Sequence, residues 1–303
     1  AIGSGAGLTT QGTKSVAIGN NAGNSSQSTY AVAIGDSAGQ TTQGSECVAI
    51  GNFAGNTGQV TKAVAIGYEA GKTTQGHSAV AVGRQAGLSG QLNSAVAIGE
   101  NAGRTTQGTS AVAVGYAAGY TGQLANAVAI GNAAGYDTQG SSSVAIGVGA
   151  GQTRQRASSV AIGNSAAATD QSANSVAIGF NAGNSTQGTN SVAIGNDAGK
   201  STQREGGVAI GFSAGNNNQG TNSVAIGSSA GNTGQGANAI AIGNNAGVTS
   251  QTAGSICLNA SGVALNPNQA GLFINPIRGI PLGIGVGILS YDTTTNEIRY
   301  STT

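Results

Sequence analysis

The sequence predicts an all-β chain, a parallel β-solenoid of sixteen-residue coils, and three observations carry that prediction. The phrase Ser15-Val-Ala-Ile-Gly19 returns every sixteen residues. A glutamine returns with the same period, from Gln11 to Gln251. No insertion or deletion disturbs either count. A period this regular makes each repeat one structural unit stacked on like neighbours.

The Val of the phrase stands at 16, 32, 48, 64, 80, 96, 112, 128, 144, 160, 176, 192, 208 and 224, and Ile240 and Ile256 take the next two places. Counting from that Val as 0, position −1 is small (Ser15, Ala31, Cys47, Ala63, Gly207), +1 is nearly always Ala, +2 is Ile or Val, and +3 is Gly until Asn259. Side chains alternate across a strand, so −1 and +1 present a small face, while 0 and +2 present a β-branched one. A Val and Ile stripe of this length would aggregate if left open, so each face needs cover. Helix is excluded, because Gly recurs too often and the β-branched pair sits two apart.

A turn follows. Positions +4 and +5 are variable and polar, and Ala-Gly recurs at +6 and +7, as in Ala22-Gly23 and Ala38-Gly39, with Ala166-Ala167 as an exception. Glycine at +3 and +7 brackets a tight turn that wants left-handed backbone or close chain approach.

The second strand is marked by +11, which is occupied by Gln11, Gln27, Gln43, Gln59, Gln75, Gln91, Gln107, Gln123, Gln139, Gln155, Gln171, Gln187, Gln203, Gln219, Gln235 and Gln251. Stacked one coil apart, these sixteen are expected to form a buried ladder in which each amide donates to the next. The charges support that register: Lys14, Asp36, Glu46, Lys62, Glu69, Lys72, Arg84, Glu100, Arg104, Asp137 and their successors all avoid −1 through +3, +6, +7 and +11. A charge is tolerated where water reaches it, so the avoided offsets are the buried ones. Two strands and two turns per coil make a flattened roll over 1–255, roughly 75 Å long at about 4.8 Å per coil.

Residues 256–303 depart from the repeat. Leu282, Ile284, Val286 and Ile288 alternate with Gly, and Asp292-Thr-Thr-Thr-Asn296 is a polar turn between two strands. This reads as a small β cap closing the end of the solenoid.

Ser-Val-Ala-Ile-Gly followed by two polar residues and Ala-Gly resembles the head repeat of YadA-like trimeric autotransporter adhesins. The resemblance covers about residues 1–258 and implies a left-handed parallel β-roll in a threefold homotrimer. That family's repeat is commonly shorter and lacks a regular glutamine. Ile256-Cys-Leu-Asn-Ala-Ser-Gly262, Gly271-Leu-Phe-Ile-Asn-Pro-Ile-Arg278 and Leu289-Ser-Tyr-Asp-Thr-Thr-Thr-Asn-Glu-Ile-Arg-Tyr300 resemble the tail of fibre-like proteins of large DNA viruses and phages. That second resemblance implies a virion surface or tail fibre, extracellular in location. Volume also points to a homotrimer. A coil of sixteen residues encloses a thin space that Ser, Ala and the Gln stems fill, which leaves Val and Ile on an outer face turned to the threefold axis.

Composition narrows the function. Only 7% of residues are charged, and the formal net charge is +1, so there is no basic field for nucleic acid or for a membrane surface. The apolar stretch from Gly279 to Leu289 is too short to span a bilayer. Ala1-Ile2-Gly3 enters the repeat in mid-phrase, which points to a piece of something longer. The 54 glycines lack the every-third spacing of collagen, and the aspartates lack the fixed offsets of a calcium-binding roll. No carboxylate recurs at an offset that would pair an acid with a base, and Gly3-Ser-Gly-Ala-Gly7 is a repeat turn with no helix or Lys-Ser/Thr behind it. The sole histidine, His77, lies in a turn beside Gly76 and reads as solvated rather than as a metal ligand. No enzyme activity, metal or cofactor is expected.

Cys47 and Cys257 occupy small slots about thirteen coils apart, roughly 60 Å, and read as buried free thiols. Tyr116, Tyr120 and Tyr136 are neighbours in mid-shaft and form the candidate patch for a host-surface receptor or glycan. The expected function is a structural or adhesive fibre of a virion, for host attachment or surface decoration. The alternatives are a bacterial-type cell-surface trimeric adhesin and an ice-binding solenoid. The last is suggested by Thr-Thr-Gln-Gly at 9, 41, 73 and 105, a motif that fails in the coils between.

Overall fold

The computed structural model describes residues 1–277, 288–292, 294–295 and 297–301. It is a parallel β-solenoid with two strands per sixteen-residue coil and no helix among the described residues. The first sheet takes the Val-Ala-Ile segments, beginning with Val16–Ile18, and pairs Val16 with Val32 and Val32 with Val48 in strict register. Among the described residues it has 17 strands, which at about 4.8 Å each gives a length near 75 Å. The second sheet runs from Ser25–Gln27 to Thr202–Gln203 and pairs Gln27 with Gln43 and so onward.

The interior is thin and holds small side chains. The buried apolar residues are alanines and the two cysteines, with Ala at −1, +1 and +6 wholly inaccessible in coil after coil. Val and Ile at 0 and +2 point outward, as the volume argument expects, and in the single chain Ile98 and Ile130 stay 41% and 39% exposed. Where Ser replaces Ala at −1, its hydroxyl donates to the carbonyl three residues back, as Ser143 does to Gly140 at 2.6 Å. That bond removes the cost of burying the hydroxyl.

Glycine is favoured at both bracketing positions for separate reasons. At +3, a Cβ on Gly115 would sit 2.7 Å from the carbonyl oxygen of Gly131 in the next coil, and φ there is +127°. At +7, a Cβ on Gly103 would lie 2.7 Å from Oε1 of Gln107, so this glycine clears space for the buried amide. Left-handed backbone also occurs at +5, +10 and +14, on residues as varied as Phe53, Thr74 and Lys62. These corners are not announced by their side chains.

A two-coil period lies over the one-coil period at the second corner. Gly44, Gly76, Gly108 and Gly140 at +12 alternate with Val60, Leu92, Leu124 and Arg156. A Cβ on Gly76 would overlap the next coil's backbone, 2.6 Å from the carbonyl carbon of Leu92. Each of these glycines therefore leaves no room for a side chain beneath the coil that follows it, and the larger side chains stand in the alternate coils.

The first sheet continues across residue 255. Ser255–Asn259 pairs in parallel with Ile240–Ile242 and then with Gly271–Asn275. Ile288–Asp292 and Glu297–Ser301 form an antiparallel hairpin. Its turn is held by Asp292 Oδ1, which accepts from the backbone N–H of Thr294 and Thr295. Those bonds keep the Asp292 carboxyl below its usual range. The alternating stretch over Leu282, Ile284 and Val286 lies outside the described residues.

Ala167 is the one side chain at +7 between Gly7 and Gly247 that is not glycine, and its φ is +48°. Ala167→Gly should raise the apparent thermal midpoint, by about 1 kcal/mol of relieved left-handed strain. The reverse change, Gly103→Ala, should lower it by about 1 to 2 kcal/mol.

Candidate functional site

The most ordered side-chain array is the glutamine ladder. Gln91 Nε2 donates to Gln107 Oε1 at 3.0 Å, Gln107 to Gln123 at 3.0 Å, and Gln123 to Gln139 at 3.0 Å. The same nitrogen donates a second bond across the roll to the carbonyl at 0 of its own coil, as Gln107 does to Val96 at 2.8 Å. Each amide therefore ties coil to coil and sheet to sheet with its two N–H groups, while its oxygen accepts from the coil before. The amides from Gln27 to Gln251 are buried.

Two members depart from expectation. Gln11 is exposed; its Nε2 reaches only the Ser15 carbonyl, at 3.5 Å, so it is not part of the ladder. Gln27 Oε1 is accordingly left without a donor. The second departure is internal: Gln219 donates to Val208 and Ser223 carbonyls, and Gln235 Oε1 is buried with no partner. Backbone pairing at +11 runs as far as Gln203 with Gln219, after which the coils bridge at +9, Asn217 with Thr233. The ladder resumes from Gln235 to Gln251 at 3.1 Å.

Of the three tyrosines singled out in sequence, the structure brings together two. Tyr120 and Tyr136 both stand at +8 in successive coils and stack with centroids 4.8 Å apart and planes 7° from parallel. Arg104, at +8 in the coil before, lies 5.4 Å from the Tyr120 centroid and donates to its hydroxyl at 3.0 Å. Tyr116 stands at +4, on a different row of the same edge, and is 55% exposed. Along this edge a polar network extends the stack: Arg104 donates to Gln85, Gln85 to Glu69 at 2.8 Å, and Lys72 to Glu69 at 2.6 Å. The hydrogen bond from Lys72, then that from Gln85, holds the Glu69 carboxyl below the ordinary range. Arg84 and Glu100 form an ion pair on the +4 row.

His77 is exposed, with Asn93 accepting from its backbone N–H. Among the described residues, no three His, Cys, Asp or Glu side chains converge as a metal site would require. Cys47 and Cys257 are free and buried, and burial pushes both thiols up from their ordinary pKa. Two hollows are present. One of about 320 Å³ lies over Gly140 between Leu124 and Arg156, a product of the two-coil period. The other, about 730 Å³, lies between the outer face of the last rungs, Ile256, Leu272 and Ile274, and the hairpin residues Tyr291 and Ile298.

No protein-family model, curated protein or solved structure matches the chain.

The double change Gln107→Leu with Gln123→Leu removes the side-chain donors to the Val96 and Val112 carbonyls and takes the ladder partners from Gln91 Nε2 and Gln139 Oε1. It should lower the apparent thermal midpoint, at about 1 to 3 kcal/mol for each buried group left unpaired. Gln11→Leu should stay within about 0.5 kcal/mol of the parent. A thiol whose pKa is raised stays protonated at neutral pH. Native protein treated with iodoacetamide should therefore show no added mass at Cys47 or Cys257, and both should label once it is denatured.

Proposed function

We propose that the chain is the shaft or head of a homotrimeric structural or adhesive fibre, carried on a virion surface or tail. The single observation that carries this reading is the outer face of the first sheet. It offers Val and Ile at 0 and +2 along its whole length, with Ile18, Ile50, Ile66, Ile98, Ile130, Ile226, Ile242 and Ile256 all exposed. A face about 75 Å long and about 10 Å wide is on the order of 750 Å². Monomers rarely expose an apolar patch above a few hundred Å², whereas about 800 Å² is one partner's share of a standard interface. Three such faces turned to one axis make a closed prism, which satisfies every copy and leaves no open end to the association.

The tail segments Gly271 to Arg278 and Leu289 to Tyr300 support placement on a virion, by their resemblance to viral fibre tails. The Ser-Val-Ala-Ile-Gly phrase favours a second reading, a bacterial-type cell-surface trimeric adhesin. Both readings place the chain outside the cell, with its own copies as first partner and a surface receptor or glycan as second. The regularity of the coils supports a mechanical role for most of the length.

Light scattering on the purified chain should give three times the chain mass, and negative-stain images should show short rods. Ile98→Asp with Ile130→Asp should abolish association while circular dichroism keeps its β signal. A stable, soluble monomer of the parent sequence would contradict the proposal.

A further inference from the structure

The repeat tyrosines are not spread evenly. Tyr68, Tyr116, Tyr120 and Tyr136 are four of the five, and all lie on the edge formed by +4 to +8, within five consecutive coils. The same stretch carries the Arg84–Glu100 pair and Arg104. Elsewhere this edge is mostly Asn, Ser and Gln, so the strip is a local feature laid over a uniform shaft. Tyrosine and arginine are the residue types that concentrate at binding surfaces, because they offer large contact area at low entropic cost together with a polar end.

Two kinds of tyrosine are present. Tyr120 is covered on its faces by Arg104 and Tyr136, so this pair is a braced wall offering ring edges and hydroxyls. Tyr68 and Tyr116 are 47% and 55% exposed, and among the described residues no ring or cation is stacked on either. Their faces are open, three coils apart on the +4 row, roughly 14 Å. Between them on that row stand Arg84 and Glu100, held to each other, which fixes donors and acceptors side by side. Carboxylates and cations nearly balance along the strip, so it does not select a strongly charged ligand.

We propose that the edge from Tyr68 to Tyr136 is a carbohydrate-binding strip for a neutral oligosaccharide lying along the fibre axis. Such a ligand has apolar ring faces to lay on Tyr68 and Tyr116, and hydroxyls to meet Arg84, Glu100 and the hydroxyl of Tyr136. The strip is a ridge rather than a pocket, so it takes an extended chain and not a single sugar. The inference rests on the adhesive reading above only in that the chain meets a surface. With the Val and Ile face turned to the axis, this edge stays on the outside of the trimer.

The test is binding of the full chain to a printed array of neutral, sialylated and sulfated oligosaccharides of several lengths, with light scattering on the same sample. Expected is retention on neutral chains and not on monosaccharides, reduced about tenfold or more by Tyr68→Ala with Tyr116→Ala. Phe180→Ala with Phe212→Ala, exposed aromatics at the same offset beyond the strip, should leave binding unchanged. Intact trimers that bind no glycan, or that bind equally with and without Tyr68 and Tyr116, would overturn the strip and leave the fibre reading standing. So would binding confined to anionic glycans and removed by moderate salt. Monomers that bind neutral chains would overturn the trimer and leave the strip.

Discussion

The separation of the two sheets governs this molecule. The space between them admits an alanine from one side and a glutamine amide from the other, and nothing larger: the bulkiest side chains that are fully buried are the glutamines themselves. Each buried methyl is worth only about 0.8 kcal/mol, so no single apolar side chain anchors the roll. The parallel backbone ladders and the amides that cross between the sheets add to this core of many small contributions. Glutamine is suited to that place because it has two donors, needed for the Val carbonyl opposite and the next amide along, and one acceptor for the amide before. Leucine would fill the volume and orphan the carbonyls. Asparagine, one methylene shorter, would not span from the second sheet to the first.

The thin interior has a consequence outside. All the large aliphatic side chains of the repeat are excluded from the roll and stand on its outer face, so the chain's greatest store of apolar surface is not used in folding a single copy. Its interior specifies the coil, and its exterior presents an apolar face. That division also explains the monotony of the sequence: Ala at +1 and +6, Gly at +3 and +7 and Gln at +11 are fixed by fit, Val and Ile by the face they present. The offsets between are free to carry charge, ring or hydroxyl.

Much of this was legible in the sequence because the constraints repeat. The period, both strand positions, the inward alanines, the outward Val and Ile and the buried glutamines all follow from comparing offsets. What could not be read has physical reasons. The left-handed corners at +5, +10 and +14 are occupied by Phe53, Thr74, Lys62 and many others, because closure of the coil imposes the dihedral whatever residue stands there. The alternation of Gly76 and Leu92 depends on backbone overlap, which spacing alone does not show. The Tyr120–Tyr136 stack was in principle visible, since both stand at +8. Grouping tyrosines by nearness in sequence added Tyr116, whereas an equal offset is what places side chains in one column of a solenoid.

The break between Gln219 and Gln235 shows how the two sheets divide the work. Backbone contact is kept there, since Gly220 N–H donates to the Gln235 carbonyl and Gly234 N–H to that of Asn217, both at 2.9 Å. The first sheet runs through the same coils without interruption, pairing Val208 with Val224 and Val224 with Ile240. What fails is the pairing at +11, and with it the amide bond, in the coil that follows Asn216-Asn217-Asn218. A solenoid carried by two continuous sheets opens only if both give way. From this point toward the C-terminus the second sheet has isolated bridges in place of strands, and the first sheet carries the stack. Local opening should be cheapest where one of two ladders is already incomplete and a buried oxygen lacks its donor. If the proposed trimer forms, cover on the outer face of the first sheet would act where the second sheet is weakest, so the last coils would gain most from association.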